Sequence, residues 1–248
     1  MSARRFFVEG VREIGACVEI GGSDARKIVR VLRLTDGDAI EVVDSAGTLF
    51  TAAIAIDGPL VRATLAGMPA GAQAHAAALR VDVAQALPKG GKMDFVVEKA
   101  TELGAAAIFP FRSERTIVRD VGAAKVERWR RLAQAAAQQC GRREIPQVHA
   151  PFDSFDALLT RFAGYDAVLF PWELAPHEPL RSRLPDLLLG ARRVLIVIGP
   201  EGGFTHAEAE AARARGAALL WLGARILRTE TAAMALLAIV DAFAHPDA

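Results

Sequence analysis

Cysteine is nearly missing from this chain. Its 248 residues hold two, Cys17 and Cys140, in no CxxC pattern. That excludes a disulfide framework and a cysteine-based zinc site, and it fits a reducing compartment. The five histidines (His75, His149, His177, His206 and His245) are scattered and never take HExxH spacing, so most are expected on the surface. No GxGxxG follows an apolar run, which excludes a standard dinucleotide site. LPKGGKMDF tempts a phosphate-loop reading and fails it. The position five before Gly91 is Ala86, and Met93 stands where Ser or Thr would bind magnesium. Lys89 and Lys92 are left as contacts for an anion or as a solvated turn. Long hydrophobic runs are also missing. Glu9, Arg12 and Glu13 interrupt the stretch where a signal peptide needs apolar residues, and TAAMALLAIVDAFA near the C-terminus is too short to span a bilayer. A soluble cytoplasmic protein with no membrane contact is expected.

What is present is ample apolar material, 52% of residues, enough for a real core. The first seventy residues read as β-rich. RRFFVEG and ACVEIGG predict short strands, AIEVVDSAGTLFTAAIAIDG predicts a hairpin broken at Ser45-Ala46-Gly47, and LVRATLAG predicts another strand. DARKIVRVLRL predicts one helix with Ile28, Val31 and Leu32 on one face. Short strands with one helix make a small barrel. MPAGAQAHAA, residues 68–77, reads as a linker. From Leu79 onward strands and helices alternate, the pattern of an α/β domain with a mostly parallel sheet. The expected domains are 1–72 and 73–248.

IGPEGGFTHAEAE, residues 198–210, combines strand, glycine turn and helix. Thr205 is the expected N-cap and Glu208 its capping-box partner. Ligands of open α/β sheets sit at the carboxyl ends of strands, where this turn lies. A glycine turn before a helix commonly holds phosphate. This one has no lysine and carries Glu201, which suits a neutral or cationic ligand instead.

Positive charge collects between Arg112 and Arg143. Arg112, Arg115, Arg119, Lys125, Arg128, Arg130, Arg131, Arg142 and Arg143 stand against Glu114, Asp120 and Glu127, in a chain whose net charge is only +1. This is the electrostatic footprint of a nucleic-acid partner, weighed against a solvated face in an arginine-rich composition. LGARILRTETA, residues 222–232, places Arg225, Arg228 and Glu230 beside a glycine turn, with Thr229 as the expected cap of a helix whose apolar body starts at Ala232.

Together these blocks carry a resemblance. RRFFVEG, VLRLTDGDAIEVVDSAG, KGGKMDFVVEKATELGAAAIFPFRSERT, RWRRLAQAAAQQCGRREIP, LIVIGPEGGF and LGARILRTETA occur in order along essentially the whole chain. In them the sequence resembles the RsmE family of ribosomal small-subunit RNA methyltransferases, of the SPOUT superfamily. The resemblance implies a PUA-like, RNA-binding β-barrel followed by a SPOUT domain with a C-terminal trefoil knot. It implies S-adenosyl-L-methionine as donor, and N3 of uridine 1498 of 16S rRNA, in the small ribosomal subunit, as acceptor. A SPOUT enzyme acting on a different RNA nucleotide is the alternative, and a non-catalytic RNA-binding protein is the rival class. The donor residues implied are Phe170, Pro171, Gly199, Glu201, Gly202, Leu222, Gly223, Ile226 and Leu227. Gly202 and Gly223 are expected to let the backbone approach the ligand closely. Two departures stand out. Arg26-Lys27 replaces a His-His pair, and Ala224 replaces a proline after Leu-Gly.

Uracil N3 carries a proton and is a poor nucleophile. Transfer needs that proton removed or the developing anion stabilised. Arg228 or Arg142 would supply positive charge, and Glu230 or Glu201 would be the base. Arg26, Lys27, Arg30, Arg112, Arg115, Arg128 and Arg131 are the candidate RNA contacts. The C-terminal helix is apolar nearly all round, through Met234, Leu236, Leu237, Ile239, Val240 and Phe243, so it must be buried. The resemblance implies a homodimer paired through it.

Overall fold

A computed structural model describes residues 4–69, 79–118 and 120–244. His75, Arg119, His245, most of the expected linker and the boundary between residues 72 and 73 lie outside the described residues. The chain divides into two units, Met1–Ala76 with Ala137–Glu144, and Ala77–Ala136 with Ile145–Ala248.

In the first unit, β1 (Arg5–Phe7), β2 (Cys17–Ile20), β3 (Ala39–Val43), β4 (Leu49–Asp57) and β5 (Leu60–Gly67) form one sheet in the order β1-β3-β4-β5-β2. Only the β1–β3 pair is parallel. The edge strands β1 and β2 are not paired with each other, so by hydrogen bonding the expected barrel is a curled open sheet. Alternation fixes its inner face. Val61, Ala63 and Leu65 of β5 are buried with Phe6, Val42 and Ile54. The β3–β4 turn is organised by buried Asp44, whose carboxylate accepts the backbone N–H groups of Ala46 (2.9 Å), Thr48 (2.8 Å) and Arg12 (3.0 Å).

The helical segment departs from its sequence pattern. Helix α1 (Gly22–Arg26) runs into a π-helical turn, Lys27–Val31. There Leu32 N–H bonds Lys27 C=O, five residues back. A π turn spreads more residues round the axis, so i and i+3 no longer share a face. Ile28 is accordingly fully buried, whereas Val31 is 72% exposed, against the face expected for it.

The second unit holds β6 (Arg80–Ala86), α2 (Lys92–Glu102), β7 (Ala107–Phe111), α3 (Ala123–Cys140, whose last turn belongs to the first unit), β8 (Gln147–Val148), α4 (Phe155–Leu159), β9 (Ala167–Pro171), α5 (Leu180–Leu188), β10 (Arg193–Ile198), α6 (His206–Ala214), β11 (Ala218–Leu220) and α7 (Thr229–Ala244). Its sheet runs β11-β9-β10-β6-β7-β8, parallel throughout. Both faces are covered, which is why the strands read as continuous apolar runs. On one face Val83, Leu169 and Ile196 pack with Val97, Trp129, Leu184 and Leu237. On the other, Phe109, Phe170 and Val197 pack with Phe155, Leu158 and Ala209. The two-residue β8 and five-residue α4 are too short to announce themselves in sequence. No helix among the described residues is long and apolar enough to cross a membrane.

Helix α7 is not a uniformly apolar rod. Ala233, Leu236, Leu237 and Val240 are buried in this chain's own core, while Met234 and Ile239 are partly exposed and Phe243 is 41% exposed. Leu237 is therefore a core residue rather than a contact for a second subunit.

The start of α7 is fixed by a buried polar relay. The Thr229 hydroxyl donates to the Gly199 carbonyl (2.6 Å) and accepts from Gln85 Nε2 (2.8 Å). Thr229 is thus not the side-chain cap expected of it. Its hydroxyl ties the helix to the ends of β6 and β10. Replacing Thr229 with valine keeps the shape but leaves the amide and carbonyl without this partner. We expect a loss of about 2 kcal/mol in urea unfolding, with Thr229→Ser losing much less; equal stability of all three proteins would refute the relay's importance.

Candidate functional site at the carboxyl edge of the parallel sheet

β9, β10 and β11 are parallel neighbours, so the segments that leave them share one edge. From β10 the chain enters Gly199-Pro200-Glu201-Gly202-Gly203-Phe204 and reaches α6. Thr205 caps α6 as its sequence requires. Its side chain accepts from the Glu208 N–H, and the Glu208 carboxylate accepts the Thr205 N–H (2.9 Å). Buried Glu208 also accepts the Glu114 N–H (2.9 Å), which draws in the segment after β7.

The glycines of this loop have packing reasons of their own. A Cβ on Gly199 would stand 3.0 Å from the Phe204 ring, which lies 4.2 Å from Phe170 and 5.6 Å from Phe155 by centroids. A Cβ on Gly202 would meet the Arg115 side chain at 3.3 Å, and Arg115 Nη1 donates to the Gly202 carbonyl (2.8 Å). Gly203 has φ +67°, and a Cβ there would lie 2.6 Å from Glu173 Oε1. In the loop after β11, Gly223 has φ +106° with open space around it. Valine at Gly202 or Gly223 would thus act through Arg115 or through backbone strain, whatever it did to a ligand.

Three charged groups meet between the loops. Glu201 Oε1 accepts from Lys92 Nζ (3.0 Å) and from the Lys89 N–H (3.0 Å). Lys92 Nζ also lies 3.6 Å from Glu230 Oε2, on the first turn of α7. Lys92 is therefore not a free surface charge; it bridges two carboxylates of this chain. Burial pulls the Glu201 pKa up, but the Lys92 ammonium and the backbone N–H groups of Glu201 itself and Lys89 outweigh it, leaving it below the usual carboxylate range. The hydrogen bond to Glu201 raises the Lys92 pKa, against a smaller opposing effect of burial. Glu230 Oε2 is buried and, among the described residues, makes no hydrogen bond.

The edge brings together Pro171, Gly199, Glu201, Gly202, Leu222, Gly223, Ile226, Leu227 and Glu230. Phe170 gives its ring to the core against Phe204. Leu222 and Leu227 are partly exposed and Ile226 is 92% exposed, an apolar rim beside a cluster with one surplus negative charge. Glycine backbone, an apolar rim and surplus negative charge fit a ligand with a flat apolar part and a cationic part. Arg228 is exposed at the start of α7, whereas Arg142 lies in the segment assigned to the first unit.

The candidate RNA residues are less uniform than their charge. Arg26, Arg30 and Arg131 are exposed. Lys27 donates to Gln138 Oε1 (3.0 Å) within the first unit. Arg112 pairs with Asp153 (3.2 Å). Arg128 closes on Asp94 through Nε (2.9 Å) and Nη2 (2.7 Å), while Trp129 Nε1–H holds the other Asp94 oxygen (3.0 Å). Lys92, Gln85 and the linking role of Arg115 escape sequence reasoning, because each depends on a partner far along the chain.

Residues 75–241 match the model of an RNA methyltransferase domain, and residues 20–64 match an RNA methyltransferase PUA domain. The chain is 32% identical over 252 residues to the ribosomal RNA small subunit methyltransferase E of Bacillus subtilis, covering 96% of each chain. It is 32% identical to that of Synechocystis over 97% of this chain and 78% of the relative. Among solved structures it is similar to ribosomal RNA small subunit methyltransferase E from Neisseria gonorrhoeae bound to S-adenosyl methionine, at TM-score 0.84 and 28% identity, covering 96% of this chain and 97% of that one. With both domain models matched and 96% of the Bacillus subtilis relative covered at 32% identity, the chain belongs to the ribosomal RNA small subunit methyltransferase E family.

Proposed function

We propose that this protein methylates N3 of a uridine in 16S rRNA, uridine 1498, with S-adenosyl-L-methionine as donor, in the cytoplasm. The observation that carries the reading is the Glu201–Lys92–Glu230 cluster beside the glycine turn at the carboxyl edge of β9, β10 and β11, in a chain of this family. Pro171 and the backbone of Phe170, the turn of Gly199, Glu201 and Gly202, and the loop of Leu222, Gly223, Ile226 and Leu227 would hold the donor. S-adenosylmethionine bound there supplies an electrophilic methyl group. In this reading the SPOUT domain carries a C-terminal trefoil knot, and the domains are 1–72 and 73–248.

The residues divide the remaining work. Glu201 is engaged by an ammonium and a backbone N–H and stays ionised to low pH, so it is a weak base. Glu230 Oε2 lies farther from the Lys92 ammonium, at 3.6 Å, and makes no hydrogen bond among the described residues, so of the two carboxylates Glu230 is the one less engaged and takes the N3 proton. Arg228 or Arg142 stabilises negative charge developing on the uracil oxygens. Two copies pair through the outer side of α7, where Met234, Ile239 and Phe243 retain exposed apolar surface. RNA is held by Arg26, Lys27, Arg30, Arg112, Arg115, Arg128 and Arg131, with Arg26, Arg30 and Arg131 the most available.

Transfer of tritium from labelled donor to small subunits, followed by nucleoside analysis, tests the activity. 3-Methyluridine is expected; another methylated nucleoside would move the enzyme to a different target, and no transfer would leave an RNA-binding protein. Glu230→Gln should lower kcat about a hundredfold, with Glu201→Gln losing less; the reverse order would exchange their roles. For RNA contact, Arg26, Arg30 and Arg131 replaced together by alanine should flatten the slope of log affinity against log salt by about 2, at about 0.7 per single-strand phosphate contact. Parallel salt lines for variant and wild type would show that these arginines face water alone.

A further inference from the structure

The Glu201–Lys92–Glu230 cluster has more negative charge than positive. One ammonium serves two carboxylates from different loops, at 3.0 Å and 3.6 Å. The side chains are partly shielded, Glu230 at 15%, Glu201 at 28% and Lys92 at 33% exposed. The buried Glu230 Oε2 makes no hydrogen bond among the described residues. Keeping a surplus charge in such a place is costly unless a cation covers it. The side chains of Lys89, Arg225 and Arg228 lie nearby in sequence, but all three are exposed, and salt screens exposed charges.

We propose that Lys92 is a positioning residue that sets ligand specificity. It holds Glu201 and Glu230 on facing loops and cancels one of their two negative charges; the charge left over would favour the sulfonium donor over its uncharged thioether product. This rests on the donor reading above. The two ligands differ by a methyl group and a charge. In the product, sulfur keeps the electron pair of the broken S–C bond, the methyl carbon is bonded to N3, and the N3 proton has passed to Glu230. The ligand then has no sulfonium for the cluster to attract.

Calorimetry with S-adenosylmethionine and S-adenosylhomocysteine at about 0.15 M salt, where exposed charges are screened, tests the idea through the ratio of the two affinities. Loosened loops would weaken both ligands alike and leave the ratio unchanged, so a merely structural role would not move it. Glu230→Gln and Glu201→Gln should each lower the preference for the donor by about tenfold. Lys92→Met, which removes the ammonium between the carboxylates, should raise it, and Lys92→Arg should restore the wild-type ratio. A ratio constant within about twofold across the folded variants overturns the proposal while leaving the donor reading intact. Failure of the wild type to bind either ligand would overturn the donor reading and this proposal with it.

Discussion

The Thr229 hydroxyl sits where three separated parts of the chain must agree. It accepts from Gln85 at the end of β6 and donates to Gly199 at the end of β10, while its own backbone begins α7. Buried polar groups are costly without partners, so the relay admits one placement of the helix start. Glu230 is the next residue and inherits that placement, which brings it to Lys92 at the start of α2. The loop of residues 221–228 is then stretched between β11 and a fixed helix end. Site geometry at this edge follows from one hydroxyl with both of its bonding roles filled.

The same economy appears in the glycine turn. Phe204 folds back over Gly199 onto Phe170, Arg115 lies over Gly202, and Glu173 approaches Gly203. Each glycine makes room for a neighbour of this chain. A glycine-rich loop beside a binding site is easily read as space kept for the ligand. In the proposed site the ligand would meet a surface whose shape the protein has already set, which would lower the ordering cost of binding.

Local features of this fold were legible in the sequence, and long-range ones were not. Thr205 and Glu208 are three residues apart, and their capping box follows from spacing alone. The β3–β4 hairpin and the continuous apolar runs of the parallel strands were equally plain. Lys92 and Glu201 are 109 residues apart, and Gln85 and Thr229 are 144 apart; no periodicity relates them. Val31 misled because one π turn shifts the face of a helix without changing its composition. Leu237 misled because an apolar helix must be covered, and sequence does not say whether the cover comes from its own chain or another. Charge counting likewise gave no sign that the Arg128 guanidinium closes on Asp94, thirty-four positions earlier.

The proposed roles of Glu230 and Lys92 are linked by charge conservation. Before reaction the cluster is negative and the ligand's sulfur positive, so the two attract. Methyl transfer removes the charge on sulfur. Proton transfer from N3 to Glu230 removes a charge from the cluster, leaving Glu201 and Lys92 as a neutral pair. Both halves of the attraction vanish in a single turnover. A fixed ammonium is what makes this work, since with Lys92 absent the cluster would still be negative after Glu230 had taken its proton. In this proposal product release would draw on the same three side chains that attract the donor.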